Sequence, residues 1–290
     1  MNHEARLRVQ IASLGELRGI VTAMRSLAAA EVQNAERALP GIRRYAEILA
    51  EAVAQARALV AAPAVMPPPW REAPARLVVI CSERGFVGAF NERLIERVAA
   101  EPEARAGHLW LVGARGVQLA RARGLAPEWT MSMPTHAAGV FQAARQLAAE
   151  IESRFVRGEL SRVALVTTRR GAGEATELER RQLLPLELGP GPGLGSSTAE
   201  AQVPVHHLDP LELLVGVIGE HVAGQLVDAL MESLASENAT RLRAMEAARH
   251  HIEDELRVLR ERANRLRQEE ITAELLDVIT GADAVRGGGG

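Results

Sequence analysis

Apolar residues recur at three- and four-residue intervals over both ends of the chain, and the stretch between them follows a different period. Leu7, Ile11, Leu14, Val21, Met24 and Ala28 mark the first seam. Val32, Ala35, Leu39, Ile42, Ala46, Leu49, Val53, Ala56 and Val60 continue it after a four-four stutter. Such a pattern is the stripe of a coiled-coil helix, and it predicts one from Glu4 to about Ala61. Pro40–Gly41 interrupts the run, and a proline in a helix interior costs about 3 kcal/mol, so a kink or short break is expected there. The second seam runs through Leu242, Met245, Ile252, Leu256, Leu259, Ala263 and Leu266, with Arg249 as its one polar intruder. It resumes at Ile271, Leu275, Val278, Ala282 and Val285 after a slip of phase near Gln268. No proline follows Pro210, and Asp209–Pro210 reads as an N-cap followed by proline at the first helical position. From there to Val285 one helix is predicted, on the order of 100 Å long at 1.5 Å per residue. It exceeds the first helix by about 20 residues, and no single globule can bury it.

The middle of the chain changes period. Pro63, Pro67, Pro68, Pro69 and Pro74 stop the first helix and mark a linker. RLVVICS (76–82), HLWLV (108–112) and RVALVTTRR (162–170) are short runs rich in Val, Leu and Ile, suited to buried strands. PEWTMSM (127–133) is a further candidate strand. Another spans Leu178–Leu188, confined to an edge or an end by Pro185. Helices are expected after the Gly-punctuated SERGFVGAFN, over GARGVQLARAR to about Arg123, and from His136 to about Arg157. Strands alternating with helices predict a small, open, mostly parallel α/β sheet. A Gly/Pro-rich stretch, GPGPGLGSS (189–197), closes it as a flexible loop reaching residue 207. Three segments result: an N-terminal helix (1–62), an inserted α/β domain (63–207) and a long C-terminal helix (208–290).

Composition narrows the function. The 290 residues are 47% hydrophobic and 24% charged with a net charge of −3, which gives no support for non-specific nucleic-acid binding. All the basic residues are Arg, so every lysine-dependent chemistry is excluded, that of the phosphate-loop lysine among it. One cysteine, Cys81, allows neither an internal disulfide nor a multi-cysteine metal site, and it reads as core at the end of a strand. MNHEARLRVQ lacks the apolar core of a signal peptide, and no uninterrupted run of about 18 apolar residues is present, so a cytosolic chain is expected.

Candidate chemistry is sparse. GARGVQ and GPGPGLG are Gly-rich, yet neither forms GxGxxG between a strand and a helix. His206–His207 and His250–His251 are adjacent pairs, whose side chains leave on different faces and serve one metal ion poorly. No nucleophile, base and oxyanion donor can be assembled, and neither a cofactor nor a metal is expected. A nucleotide-binding α/β enzyme and a coiled-coil adaptor remain the alternative readings of the pattern alone.

Three blocks carry a family resemblance. RVQIASL…IVTAMRSLAAAEV (8–32) is similar to the opening helix of the gamma subunits of F-type ATP synthases, its Ala23–Met24 pair included. SERGFVGAFN (82–91) resembles that family's Ser-Asp-Arg-Gly-Leu-Cys-Gly-Gly-Leu-Asn motif. LMESLASENATRLRAM (230–245) and NRLRQEEITAELLDVITGA (264–282) match its C-terminal signature. Val21–Thr22, Glu83, Phe86–Val87, Ala89–Phe90 and Ala247–His251 depart from the usual residues and mark a divergent member, of the kind an alternate F-type operon carries.

The resemblance implies an antiparallel coiled coil of the two end helices with an inserted Rossmann-like open α/β domain. It implies a non-catalytic rotor shaft whose tip sits in a hexamer of alpha and beta subunits, with its foot near the epsilon subunit and the c-subunit ring. Membrane association would arise only through that complex, on the cytoplasmic face of the bacterial inner membrane. By motif match, Arg267 and Gln268, with Thr272 and Glu274 close by, are expected to touch the beta subunits, and Met24 and Arg241 occupy similarly noted positions.

Overall fold

The computed structural model describes residues 3–60, 73–171, 176–186 and 206–287. The linker prolines Pro63, Pro67, Pro68 and Pro69, the Gly/Pro stretch at 189–197 and the last residues of the glycine tail lie outside the described residues. The chain divides into two compact units, one of Ala28–Arg241 and one of Met1–Leu27 with Leu242–Gly290.

Two helices serve both units. α1 spans His3–Ala58 and α6 spans Pro210–Gly287. The start of α6 follows the cap its sequence predicts. Asp209 Oδ1 accepts from the backbone N–H groups of Leu211 (2.9 Å) and Glu212 (3.3 Å), satisfying two of the first-turn donors that have no partner within a helix. α1 passes through Pro40 as unbroken helix, so of the expected kink or short break the break does not occur. Pro40 is exposed, while Leu39 and Ile42 beside it are buried in the core. Burial of those flanking side chains, about 1.5–3 kcal/mol each, offsets the lost hydrogen bond.

Within the larger unit, five strands make one sheet: β1 (Ala75–Ile80), β2 (Leu109–Val112), β3 (Trp129–Met131), β4 (Arg162–Arg170) and β5 (Thr176–Leu184). Their order is β3-β2-β1-β4-β5. The pairs β1–β2, β1–β4 and β2–β3 are parallel, while β4–β5 is an antiparallel edge hairpin. β5 stops one residue before Pro185, which cannot donate to a ladder. α2 (Phe90–Ala99), the one-turn α3 (Pro102–Arg105), α4 (Ala114–Ala122) and α5 (Val140–Val156) connect the strands. A short 3₁₀ turn, Ala137–Gly139, precedes α5 where a continuous helix from His136 is expected. α3 is a further departure, a turn begun by Pro102 in a stretch with no apolar period.

β1 and β4 alternate between two cores. Leu77, Val79 and Cys81 join α2 and α4 on one face. Val78, Ile80, Val163 and Leu165 join α5, α1 and α6 on the other. α6 is therefore a layer of this unit as well as a coiled-coil strand. From Ala229 to Asn238 every residue is buried, including Glu232, Ser233, Ser236 and Glu237. Part of α6 is long and apolar enough by composition to cross a membrane, and here Val222, Leu226, Leu230 and Leu234 spend that apolarity on the sheet and α1. α1 runs antiparallel to α6: Arg43 pairs with Glu232, Leu49 lies against Gly224, and Val53 and Ala56 pack with Leu214.

In the smaller unit the two seams meet. Val21, Met245, Ile252 and Leu256 form a buried cluster, flanked by the half-buried Ile11, Leu14 and Met24. Arg25 Nη1 lies 3.1 Å from Glu246 Oε2, again with the helices antiparallel. Arg249, the polar intruder, turns aside to pair with Glu246 (2.7 Å) and Glu253 (2.9 Å) on its own helix.

Leu256 is 1% exposed in this cluster. Its replacement by Ala is expected to cost about 2–3 kcal/mol of local stability. Hydrogen exchange should then speed up at α1 amides between Leu7 and Met24 and stay unchanged in β1 and β4. A uniform loss of protection would contradict a separately cored unit.

Candidate functional site

The SERGFVGAFN segment connects β1 to α2 in the larger unit, and its first and last residues tie its ends together. The Ser82 N–H donates to Asn91 Oδ1 at 3.0 Å, Asn91 Nδ2 donates to Ser82 Oγ at 2.8 Å, and Ser82 Oγ donates to the Arg84 carbonyl at 2.9 Å. Glu83 pins the loop to its other side. Its Oε2 accepts from the N–H of Ala114 (3.1 Å), the first residue of α4, and from that of Met133 (2.8 Å). A carboxylate there is favoured by the partial positive charge at a helix N-terminus. α4 itself sits hard against the end of β1, because a Cβ on Gly116 would come within 2.4 Å of Cys81 Sγ. The loop tip turns through Phe86 and Gly88, both in the left-handed region at φ 61° and 53°. Phe86 is a bulky residue in a conformation that glycine adopts more cheaply, and it is 67% exposed.

Arg241 of α6 fastens this tip from the inside. Its Nη2 donates to the carbonyls of Gly85 (3.3 Å) and Arg84 (3.4 Å), and its Nε donates to Gly85 at 3.4 Å. On its own helix Nη2 reaches Glu237 Oε1 at 2.6 Å and Nη1 reaches Asn238 Oδ1 at 2.8 Å. Arg241 is 8% exposed and Glu237 4%. Burial pushes the Glu237 carboxyl up to about 7, against the opposing pull of Arg241. Nearby, the fully buried Cys81 thiol is pushed up to about 12, first by desolvation and then by Glu237, so it stays protonated and is no nucleophile.

The residues singled out by family resemblance fall in different surroundings. Arg267, Gln268, Thr272 and Glu274 are all exposed on the last turns of α6, where Thr272 Oγ1 bonds back to the Gln268 carbonyl at 2.7 Å. Arg267 makes no ion pair among the described residues. Around them Ile271, Leu275, Leu276, Val278 and Ile279 are 49–69% exposed. Met24 is half-buried in the seam. Arg241 is the departure: the resemblance groups it with subunit contacts, and the structure places its guanidinium inside its own unit. The small side chains Ala235 and Ser236, on the preceding turn of α6, keep that part of the helix slim where it enters the core. Glu237 and Asn238 are not legible as partners from sequence, because a polar run on a helix reads as solvated surface. Their signal is spacing alone, Glu237 lying four residues before Arg241.

A cleft of about 450 Å³ opens beside α3, lined by Glu103, His108, Arg162 and Arg180. Two of these charges pair, Arg180 lying 3.2 Å from Glu103, and Arg180 also lies 3.5 Å from Glu101. Among the described residues no group of His, Cys, Asp and Glu is arranged to hold a metal ion.

Comparison with known proteins agrees with the geometry. The sequence model of the ATP synthase family matches residues 4–285. The ATP synthase gamma chain of Anaeromyxobacter sp. (strain Fw109-5) is 32% identical over 289 residues, covering 97% of this chain and 98% of that one. The ATP synthase gamma chain of Chlorobaculum tepidum is 28% identical over 295 residues, covering 97% and 98%. Among solved structures, a chain of the Euglena gracilis mitochondrial ATP synthase (OSCP/F1/c-ring) shares the fold at a TM-score of 0.64 and 17% identity, over 98% of this chain and 95% of that one. A chain of the Tetrahymena thermophila central stalk and c-ring assembly does so at 0.56 and 20% identity, over 79% and 99%. On the family match and the Anaeromyxobacter relative together, the chain belongs to the ATP synthase gamma-chain family.

Proposed function

We propose that this chain is the central rotor shaft of an F-type ATP synthase, transmitting rotation between a membrane-embedded c ring and the catalytic beta subunits. The observation that carries the reading is the family match across almost the whole chain, together with a C-terminal helix whose last turns expose a row of large apolar residues. A mechanical role leaves ATP chemistry to other subunits.

A shaft has to resist twisting and yet be held loosely. The seams of α1 and α6 supply stiffness, since each apolar pair locks two helices in register. Looseness needs contacts that make and break, and exposed polar groups on a helix form such contacts at about 1 kcal/mol each. Arg267, Gln268, Thr272 and Glu274 are the residues for transient contacts with the beta subunits, and half-buried Met24 presents its remaining surface the same way. Arg241 contributes from within, by holding the 82–91 loop in place.

The supporting relatives define the partners of this reading. The Euglena and Tetrahymena neighbours come from assemblies that contain a c ring, and on the same plan this chain serves with an alpha–beta hexamer around its tip and with an epsilon subunit and c ring at its foot. The three segments 1–62, 63–207 and 208–290 then act as shaft strand, foot domain and shaft with tip. The complex places the chain peripherally on the cytoplasmic face of a bacterial inner membrane.

Expressed with the alpha and beta chains of its own operon, the protein should co-purify at one copy per three of each, measured by native mass spectrometry. A stable homodimer through the two seams would overturn the shaft. Replacing Arg267 and Gln268 together with Ala should lower coupled ATP synthesis about tenfold, which corresponds to about 1.4 kcal/mol. Circular dichroism should stay unchanged, because both side chains are exposed. Unaltered synthesis would remove the pair from the rotor–stator contact.

A further inference from the structure

We propose that Glu237 is a positioning residue for the 82–91 loop, acting through Arg241 and operated by its own proton. Neither the rotor reading nor the family match assigns Glu237 a role, and its effect on the loop requires neither.

The distances around one guanidinium are unequal. Arg241 sits 2.6 Å from Glu237 and 2.8 Å from Asn238 on its own helix, but 3.3–3.4 Å from the loop carbonyls of Arg84 and Gly85. A guanidinium is drawn more strongly to a carboxylate, which carries a full opposite charge, than to the dipole of a neutral carbonyl. Ionised Glu237 therefore pulls the guanidinium toward α6 and leaves the loop at the long end of hydrogen-bond range. Once Glu237 takes up a proton, its pull falls to that of a neutral acceptor, and the two loop carbonyls become the equal claimants of a buried cation. The guanidinium then moves toward the loop and shortens those bonds. Acid tightens the loop; base slackens it.

The groups facing Glu237 determine where that exchange occurs. From its own helix there is Arg241, from the loop Glu83 and Arg84, and from the end of β1 the Cys81 thiol. Glu83 is committed to the N–H groups of Ala114 and Met133, and the thiol stays protonated. Glu237 is left as the group that exchanges its proton near neutrality, since desolvation outweighs Arg241 and raises it to about 7. What moves is the turn that bears Phe86, held at φ 61° and 67% exposed. A small shift of the carbonyls on either side of Gly85 re-aims that ring.

A nitroxide on Phe86→Cys reads the loop directly. Native Cys81 is fully buried with a protonated thiol, so the label reports one position. In the full chain the spin label should be immobilised below about pH 6 and mobile above about pH 8, with a midpoint near 7. Adding Glu237→Gln, which keeps the acceptor and removes the charge, should leave it immobilised at every pH. A midpoint that survives Glu237→Gln, or the absence of any transition in Phe86→Cys alone, overturns the proposal.

Stability supplies the second readout. A carboxyl raised in the folded state binds its proton more tightly there than in the unfolded chain. Its contribution is fully present below the ordinary value near 4.5 and is lost as pH rises through about 7. Glu237→Gln should therefore gain Tm over wild type as pH rises across that window. A difference that stays constant from pH 5 to 8 shows that Glu237 does not titrate there and overturns the proposal as well.

Discussion

The larger unit depends on how closely α6 can approach β4. At the points of contact with the strand α6 carries the small residues Ala229, Ser233 and Ser236, and bulk there would lift the helix off the sheet. The close approach brings polar edges into contact as well. Thr167 Oγ1 lies 3.4 Å from the Ala229 carbonyl, Thr168 Oγ1 3.4 Å from Ser233 Oγ, and Ser236 Oγ 3.4 Å from the Thr168 carbonyl. A buried hydroxyl without a partner costs about 1–3 kcal/mol, so this face tolerates polarity because helix and strand satisfy each other. The same logic brings Glu232 between Arg43 of α1 and Arg169 of β4. One carboxylate thereby ties a helix and a strand to α6.

From this layer the loop at the end of β1 acquires its anchor. β1 is central in the sheet, and its C-terminal end delivers Ser82 beside the last buried turn of α6. Arg241 can reach the loop because Asn238 and Glu237 hold it from one side and Ser82, through the Arg84 carbonyl, shapes the other. A buried arginine is costly unless its donors are matched, and here carbonyls, an amide oxygen and a carboxylate receive them. The strain at Phe86 is maintained by this surround, since a bulky residue keeps a left-handed backbone only where neighbouring contacts fix it.

Much of this architecture is legible in the residue pattern alone. The seam positions of α1 from Leu7 to Val60 are all buried or half-buried, because a stripe at coiled-coil spacing has only one way to face a partner. The Asp209 cap, the three apolar strands and the edge role of Pro185 follow from equally local rules. Pro40 shows the limit of such rules: a local penalty is outweighed by burial on either side that only tertiary packing supplies. The run Glu232–Asn238 shows another. A polar helix segment reads as surface until the hydroxyls of β4 and the guanidiniums of Arg43 and Arg241 are brought to it, and most of those lie far away in sequence. The motif match finds Arg241 as a residue of note, but the match carries no information on which way its side chain faces.

α6 carries three surroundings on one uninterrupted helix, and the order of its residue types accounts for them. Where it is buried all round, Ala and Ser alternate with Leu and a few fully partnered polar groups. Where it forms a seam, Met245, Ile252 and Leu256 keep one face and charges take the rest. On its last turns the seam positions Ile271, Leu275 and Val278 line one exposed face, and Leu276 and Ile279 add apolar side chains to the next. At about 25 cal/mol per Å² a row of such residues represents several kcal/mol of unused burial, more than a helix surface ordinarily leaves in water. Covering adjacent faces at once takes more than one partner helix, since a single helix could cover only one. A second copy of the chain docked through one seam would leave the remaining face wet. The distribution of apolar residues around the helix therefore favours an enclosing socket, which is the surrounding a shaft tip needs.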